Sequence, residues 1–249
     1  MRRKETERFK TDPFSPGQIN MSWKTEYPHQ YALFAASEMQ HRDNYFACMD
    51  EPQPPHAVQS YLDWEDRFAR LDQESRQNII ERAAPLVARR DTNEGRDWTA
   101  LFDTLNEVKG YIYLQDLGYN DVRFIPRSSE KKQKTPDVRG SGSLGDALLE
   151  VKTVNISDDD ISLFGTLQKG SRGIPEGLKH KLASDYATAC NQLHSFPVRE
   201  PARRICCFYI SVDFRLTGAR SNQDALNDYL ASIRKDCEIY HHSGHWKSR

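Results

Sequence analysis

The sequence has no long apolar run. In 249 residues no stretch approaches the ~18 apolar residues of a membrane-spanning helix, and charged residues make up 29%. No membrane association is expected. The opening MRRKETERFK is charged and no apolar stretch comes after it, so no secretory leader is expected there. Cysteine is sparse. The five cysteines, at 48, 190, 206, 207 and 237, are odd in number and include no Cys-x-x-Cys pair. That argues against a disulfide framework, a structural zinc or an iron–sulfur cluster, and fits reduced thiols in a cytoplasmic protein. A strong net charge is missing too, the balance being −1. A partner held by global positive charge is excluded, so any nucleic-acid contact must come from local patches. The chain also contains no Gly-x-Ser-x-Gly, no phosphate-cradling P-loop and no Cys/His nucleophile context.

What is present divides near residue 95. Residues 1–95 read as a mainly helical segment. A helix-like stretch covers His29–Gln40, and no helix should cross the breaker-rich DEPQPPH at 50–56. Tyr61, Trp64, Phe68 and Leu71 then recur at helical spacing. Asp72 resembles an N-cap for a second stripe of Ile79, Ile80, Ala83, Leu86 and Val87. Both stripes read as core packing.

From residue 96 to 249 the pattern is α/β. Asp97 is placed to cap a helix with an apolar stripe of Trp98, Leu101, Phe102, Leu105, Val108 and Ile112, ending near Gly118. Strand-like runs come next at 121–126, 135–140 and 146–155, the last two joined by the turn-like SGSLG of 141–145. A polar, glycine-bearing stretch at 156–177 precedes a helix at about 178–195, a strand within 203–214 and a last amphipathic helix at about 222–235. The order is helix, three strands, helix, strand, helix, which predicts a central mixed sheet flanked by helices.

Glu-x-Lys occurs three times, at Glu107–Lys109, Glu130–Lys132 and Glu150–Lys152. Periodicity separates the copies. In a strand, residues i and i+2 share a face, so Glu150 and Lys152 project together. In a helix the same spacing is about 200°, so Glu107 and Lys109 cannot act as a pair. Glu130–Lys132 lies in the polar RSSEKKQK and reads as solvated charge. Asp137, in the single Pro-Asp of the chain, precedes Glu150 by 13 residues on the neighbouring strand-like run. If these runs pair as a hairpin, Asp137 comes close to Glu150. Two carboxylates at one place repel unless a cation lies between them, and hard oxygen ligands suit Mg²⁺ or Mn²⁺. The alternative for Glu150 and Lys152 is a surface ion pair, which is common and weak.

The set Asp137, Glu150 and Lys152, in the context T-P-D…L-E-V-K-T, resembles the PD-(D/E)xK nuclease superfamily, with its restriction-endonuclease-like fold. The resemblance covers roughly residues 97–235. It implies a divalent-metal-dependent nuclease, with Asp137 and Glu150 as metal ligands and the Val151 carbonyl as a further one. Lys152 would position the attacking water. In that family the helix before the first strand carries a further acidic residue near the metal, and Glu107 matches its place. Glu107 would then act directly, through water or through a second ion, or else be an exposed helix acid. Gln192 falls where some branches of the family use a glutamine, and is read here as a packing residue.

The resemblance also implies a nucleic-acid partner, most readily DNA. Basic residues flank the candidate site in sequence: Arg123, Arg127, Lys131, Lys132 and Lys134 before it, and Lys169, Arg172, Lys179 and Lys181 after it. Taken singly, each also reads as solvated charge. The tail HHSGH at 241–245 reads as a polar terminal strand or frayed end rather than a metal site. A homodimer or a larger complex stays open. So do two alternatives, a non-catalytic nucleic-acid-binding or assembly module, and a nuclease subunit active only with a partner.

Overall fold

The computed structural model describes residues 21–37, 44–46, 49, 55–88, 98–127, 134–155, 174–211 and 220–243. In chain order these form α1 (Met21–Glu26), α2 (Pro28–Ala36), α3 (Pro55–Arg70), α4 (Gln73–Val87), α5 (Thr99–Asp116), β1 (Asp121–Phe124), β2 (Val138–Gly142), β3 (Gly145–Asn155), α6 (Glu176–Ser195), β4 (Ala202–Ser211), α7 (Arg220–Ile233) and β5 (Glu238–Ser243). The protein is α/β, with one mixed sheet in the order β1-β2-β3-β4-β5. β1, β2 and β3 form an antiparallel meander, and β3, β4 and β5 run parallel. Parallel neighbours need crossovers, supplied by the connections that carry α6 and α7.

β3 is the central strand, and its alternation divides the molecule. Ala147, Leu149 and Val151 face the core built with α1–α5, which includes Trp23, Leu33, Phe68, Ile79, Leu101 and Val108. Leu148 and Val154 face the opposite core, with Leu178, Leu182 and Leu193 of α6 and Leu226 and Leu230 of α7. The helices before residue 96 therefore share a core with α5 and one sheet face. α5 lies close on β3 because Gly110 has no side chain there. A Cβ at that position would stand 2.8 Å from both Leu149 Cδ2 and Val151 Cγ2.

Several expectations meet the structure with differences. Asp72 does cap α4, its side chain accepting from Ser75 N at 2.7 Å. Asp97 lies outside the described residues, and the position before α5 is held by Trp98, which makes no side-chain cap bond. The expected run 135–140 becomes a strand only from Val138, after Pro136, which has no N–H to give to a ladder. A fifth strand, β5, comes after the last helix and takes in His241 and His242, consistent with the terminal-strand reading of that tail. Its polar sequence EIYHHS hides it, since it lies at a sheet edge. No helix among the described residues is long and apolar enough to cross a membrane.

Candidate functional site

The β2–β3 hairpin sets the geometry. Its register pairs Val138 with Leu149 and Gly142 with Gly145, and Gly145 takes φ +87°, a conformation that favours glycine. One step beyond the Val138–Leu149 pair, Asp137 comes beside Glu150. The Asp137 backbone stays fixed on both sides, its N–H donating to Leu149 O at 3.1 Å and its carbonyl accepting from Ile125 N at 2.9 Å. Its carboxylate accepts the Val151 N–H at 2.7 Å. Val151 thus enters the site through its backbone N–H, while its side chain packs under α5.

Glu150 is only 3% exposed. Its Oε1 accepts from Lys152 Nζ at 2.6 Å, and its Oε2 is buried and accepts from no N–H, so that the Asp137 carboxyl is the side chain left to share a proton with Glu150. Lys152 also donates to Gln192 Oε1 of α6 at 3.1 Å. Gln192 in turn donates to Thr135 O at 3.3 Å, tying α6 to the segment that carries Asp137. Gln192 therefore does more than pack, because it fixes the lysine from the other side.

Electrostatics agree with two crowded carboxylates. Burial, then the charges of Glu107 and Glu150, push Asp137 well above the usual carboxylate range, against the Val151 N–H and Lys152. Burial raises Glu150 as well, with Lys152 and then a hydrogen bond with Asp137 pulling it back and Glu107 adding to the rise. Burial by itself would lower Lys152, but the Glu150 carboxylate outweighs it and holds the ammonium above its ordinary value. Carboxyls raised by burial and by one another are what a bound cation would relieve. A proton shared between Asp137 and Glu150 and a cation are alternative ways to relieve the pair, and the buried Glu150 Oε2, which accepts from no N–H, offers the cation a ligand atom.

Glu107 is placed differently. It is buried on α5 at 4% exposure, and both of its oxygens accept from Arg82 Nη2 of α4. Arg127, just past β1, donates to Oε1 at 3.1 Å. The charge of Glu107 is felt at Asp137 and Glu150, yet its oxygens are held by arginines. Among the described residues no group of three or more His, Cys, Asp or Glu side chains could hold a metal. The three expected carboxylates are thus brought near one another without forming a single ligand set.

Sequence reasoning missed some neighbours. Arg82 is the chief one. It falls three residues after Ile79, on the buried stripe of α4, and an arginine on such a stripe was the available signal. Asp103 sits one helical turn before Glu107. It is exposed on α5, and its carboxylate is bonded to Thr153. Asn106 donates to Thr153 Oγ1 at 3.0 Å, and its own buried Oδ1 has no partner.

The basic residues are dispersed. Lys134 is exposed. Lys179 pairs with Glu176 at 3.0 Å and Lys181 with Asp185 at 3.1 Å, both on α6. Arg123 pairs with Asp121 at 2.7 Å. Lys131, Lys132, Lys169 and Arg172 lie outside the described residues, as do Glu130 and Asp158–Asp160.

No family model matches the chain. No curated protein matches it either. Among solved structures, SfsA of Pyrococcus furiosus in complex with Ca²⁺ is similar over 59% of this chain and 56% of its own length, at 13% identity and a TM-score of 0.24. A likeness at that score carries no argument about fold or function.

Proposed function

We propose that the chain is a divalent-metal-dependent nuclease of the PD-(D/E)xK kind, with a restriction-endonuclease-like core at residues 96–249 and an attached helical segment before it. The observation that carries the reading is Glu150. A buried carboxylate that gives one oxygen to Lys152, has no N–H donor for the other and is crowded against the Asp137 carboxyl is a costly arrangement for a merely structural pair.

In this reading Asp137 and Glu150 hold Mg²⁺ or Mn²⁺, which when bound would polarise the scissile phosphate and stabilise the leaving oxygen. Asp137 is aimed by the Val151 N–H, so its free oxygen is fixed in direction. Lys152 acts as a donor. Anchored by Glu150 and Gln192, its ammonium is held where it orients the attacking water and offsets charge building on the phosphate. A strand-borne set braced by α6 keeps these groups in register, and such positioning is a large part of phosphoryl chemistry. DNA is the proposed substrate, and a homodimer or a larger complex would supply a second site for two-strand cutting.

The test is cleavage of plasmid, single-stranded DNA and RNA by the full chain, with Mg²⁺ or Mn²⁺ against EDTA. Metal-dependent cleavage is the expected result. A folded, metal-supplied chain that cuts none of them rejects the reading in favour of a binding module or a partner-dependent subunit.

A further inference from the structure

Two guanidinium groups converge on one carboxylate beside the proposed centre, and this exceeds what an internal ion pair needs. Arg82 gives Nη2 to both oxygens of Glu107, and Arg127 gives Nη2 to one of them. Counting charges within the triad, one positive charge is left over. The two arginines also differ. Arg82 extends from α4 over the Phe124 ring, with its guanidinium carbon 6.0 Å from the ring centre. Its Nε is buried and has no acceptor among the described residues. Arg127 has a side chain that is 69% exposed although its tip reaches the buried Glu107. A purely structural triad would be expected to use its buried donor and to enclose its second arginine. This one keeps a spare donor and an open, solvent-exposed arm.

We propose that Arg82, Glu107 and Arg127 form a phosphate-binding subsite for the nucleic-acid backbone, resting on the nuclease reading. Glu107 is the positioning residue. It holds the guanidiniums side by side while the subsite is empty, and Arg127 makes the contact when a phosphodiester arrives. The guanidinium fork matches phosphate oxygens in a way a lysine does not. One phosphodiester charge balances the surplus positive charge of the triad. The position is apt, because the charge of Glu107 is felt at Asp137 and Glu150, so a phosphate held there would lie next to the reacting centre. The subsite also gives α4, from the helical segment, a part in substrate binding.

Two measurements on the full chain test this. The first is an arginine side-chain Nε–Hε NMR spectrum titrated with inorganic phosphate, with the signals assigned through Arg82→Lys and Arg127→Lys. The Arg82 and Arg127 signals should move together and saturate. No movement of either overturns the subsite. The second is binding of a fluorescent DNA duplex by wild type, Arg127→Ala and Arg127→Lys, without metal, across a salt series. Arg127→Ala should weaken binding about tenfold and lower the salt slope by about one, with Arg127→Lys recovering the slope but only part of the affinity. An unchanged affinity and slope in Arg127→Ala also overturns it. The two proposals fail separately. Cleavage with phosphate-silent arginines removes the subsite and keeps the nuclease. Phosphate-responsive arginines in a chain that cuts nothing keep the subsite and remove the nuclease.

Discussion

Glu107–Lys109 and Glu150–Lys152 are the same tripeptide, Glu-Val-Lys, in two different periodicities. On β3 the acid and the amine lie on one face, and they bond each other at 2.6 Å. On α5 they part. Glu107 turns to Arg82 and Arg127 beside the candidate centre. Lys109 turns away to the rings of Trp64 and Tyr209, at 5.3 and 4.8 Å from their centres. Burial, with help from the nearby Arg67 charge and against Cys207, pushes the Lys109 amine down to about 6. One copy thus makes an ion pair on one strand face, and the other sends its acid to two arginines and its amine into the core. The sequence of the three residues decides nothing; the rotation per residue of the element beneath them decides it.

The largest expected effect is on chemistry. Lys152→Ala should lower metal-dependent cleavage about 10²–10³-fold, as the loss of one fixed donor to developing charge does. Lys109→Ala, which touches none of the proposed ligands, should leave the metal requirement intact, although it opens a cavity against Trp64 and Tyr209. Rates for the two variants compared in one assay would break the contrast if they fell alike.

Next is the clamp on the helix copy. Arg82→Ala leaves the buried Glu107 with Arg127 alone, and urea unfolding should show a loss of about 2 kcal/mol. Gly110→Ala tests the contact that brings the two copies together. Its Cβ would meet Leu149 and Val151 at 2.8 Å, so overpacking should cost about 1–3 kcal/mol by the same method.

The smallest effect concerns Lys109 and pH. A folded-state value near 6, below the unfolded one, means the folded chain binds fewer protons than the unfolded chain in between. This contribution makes stability rise with pH through that window. Among the charged and titratable groups around the amine are Arg67, Cys207, Tyr209 and, from β5, His242, whose own value is lowered by burial and by Lys109. Wild type should gain about 1 kcal/mol between about pH 8 and about pH 9 relative to Lys109→Met. Parallel pH–stability curves for the two proteins would contradict it.

Much of this contrast was legible in the sequence. Strand alternation put Glu150 and Lys152 on one face, and a Gly/Ser turn joined the runs that carry Asp137 and Glu150. The Asp72 cap was legible because capping is local, its bond reaching only to Ser75. What the sequence hid was long-range. Arg82 and Glu107 are 25 residues apart, and Lys152 and Gln192 are 40 apart, so neither partnership leaves a local pattern. β5 escaped because an edge strand of polar residues carries no alternation strong enough to read. Asp103 escaped because a carboxylate one turn from Glu107 looks like any exposed helix acid.

The most direct measurement is Mn²⁺ binding by calorimetry to wild type, Asp137→Asn, Glu150→Gln and Glu107→Gln. If the strand copy holds the metal and the helix copy only braces arginines, binding disappears in Asp137→Asn and Glu150→Gln and persists in Glu107→Gln. Equal loss in Glu107→Gln, or wild-type binding in Glu150→Gln, would contradict the division of labour between the two Glu-Val-Lys copies.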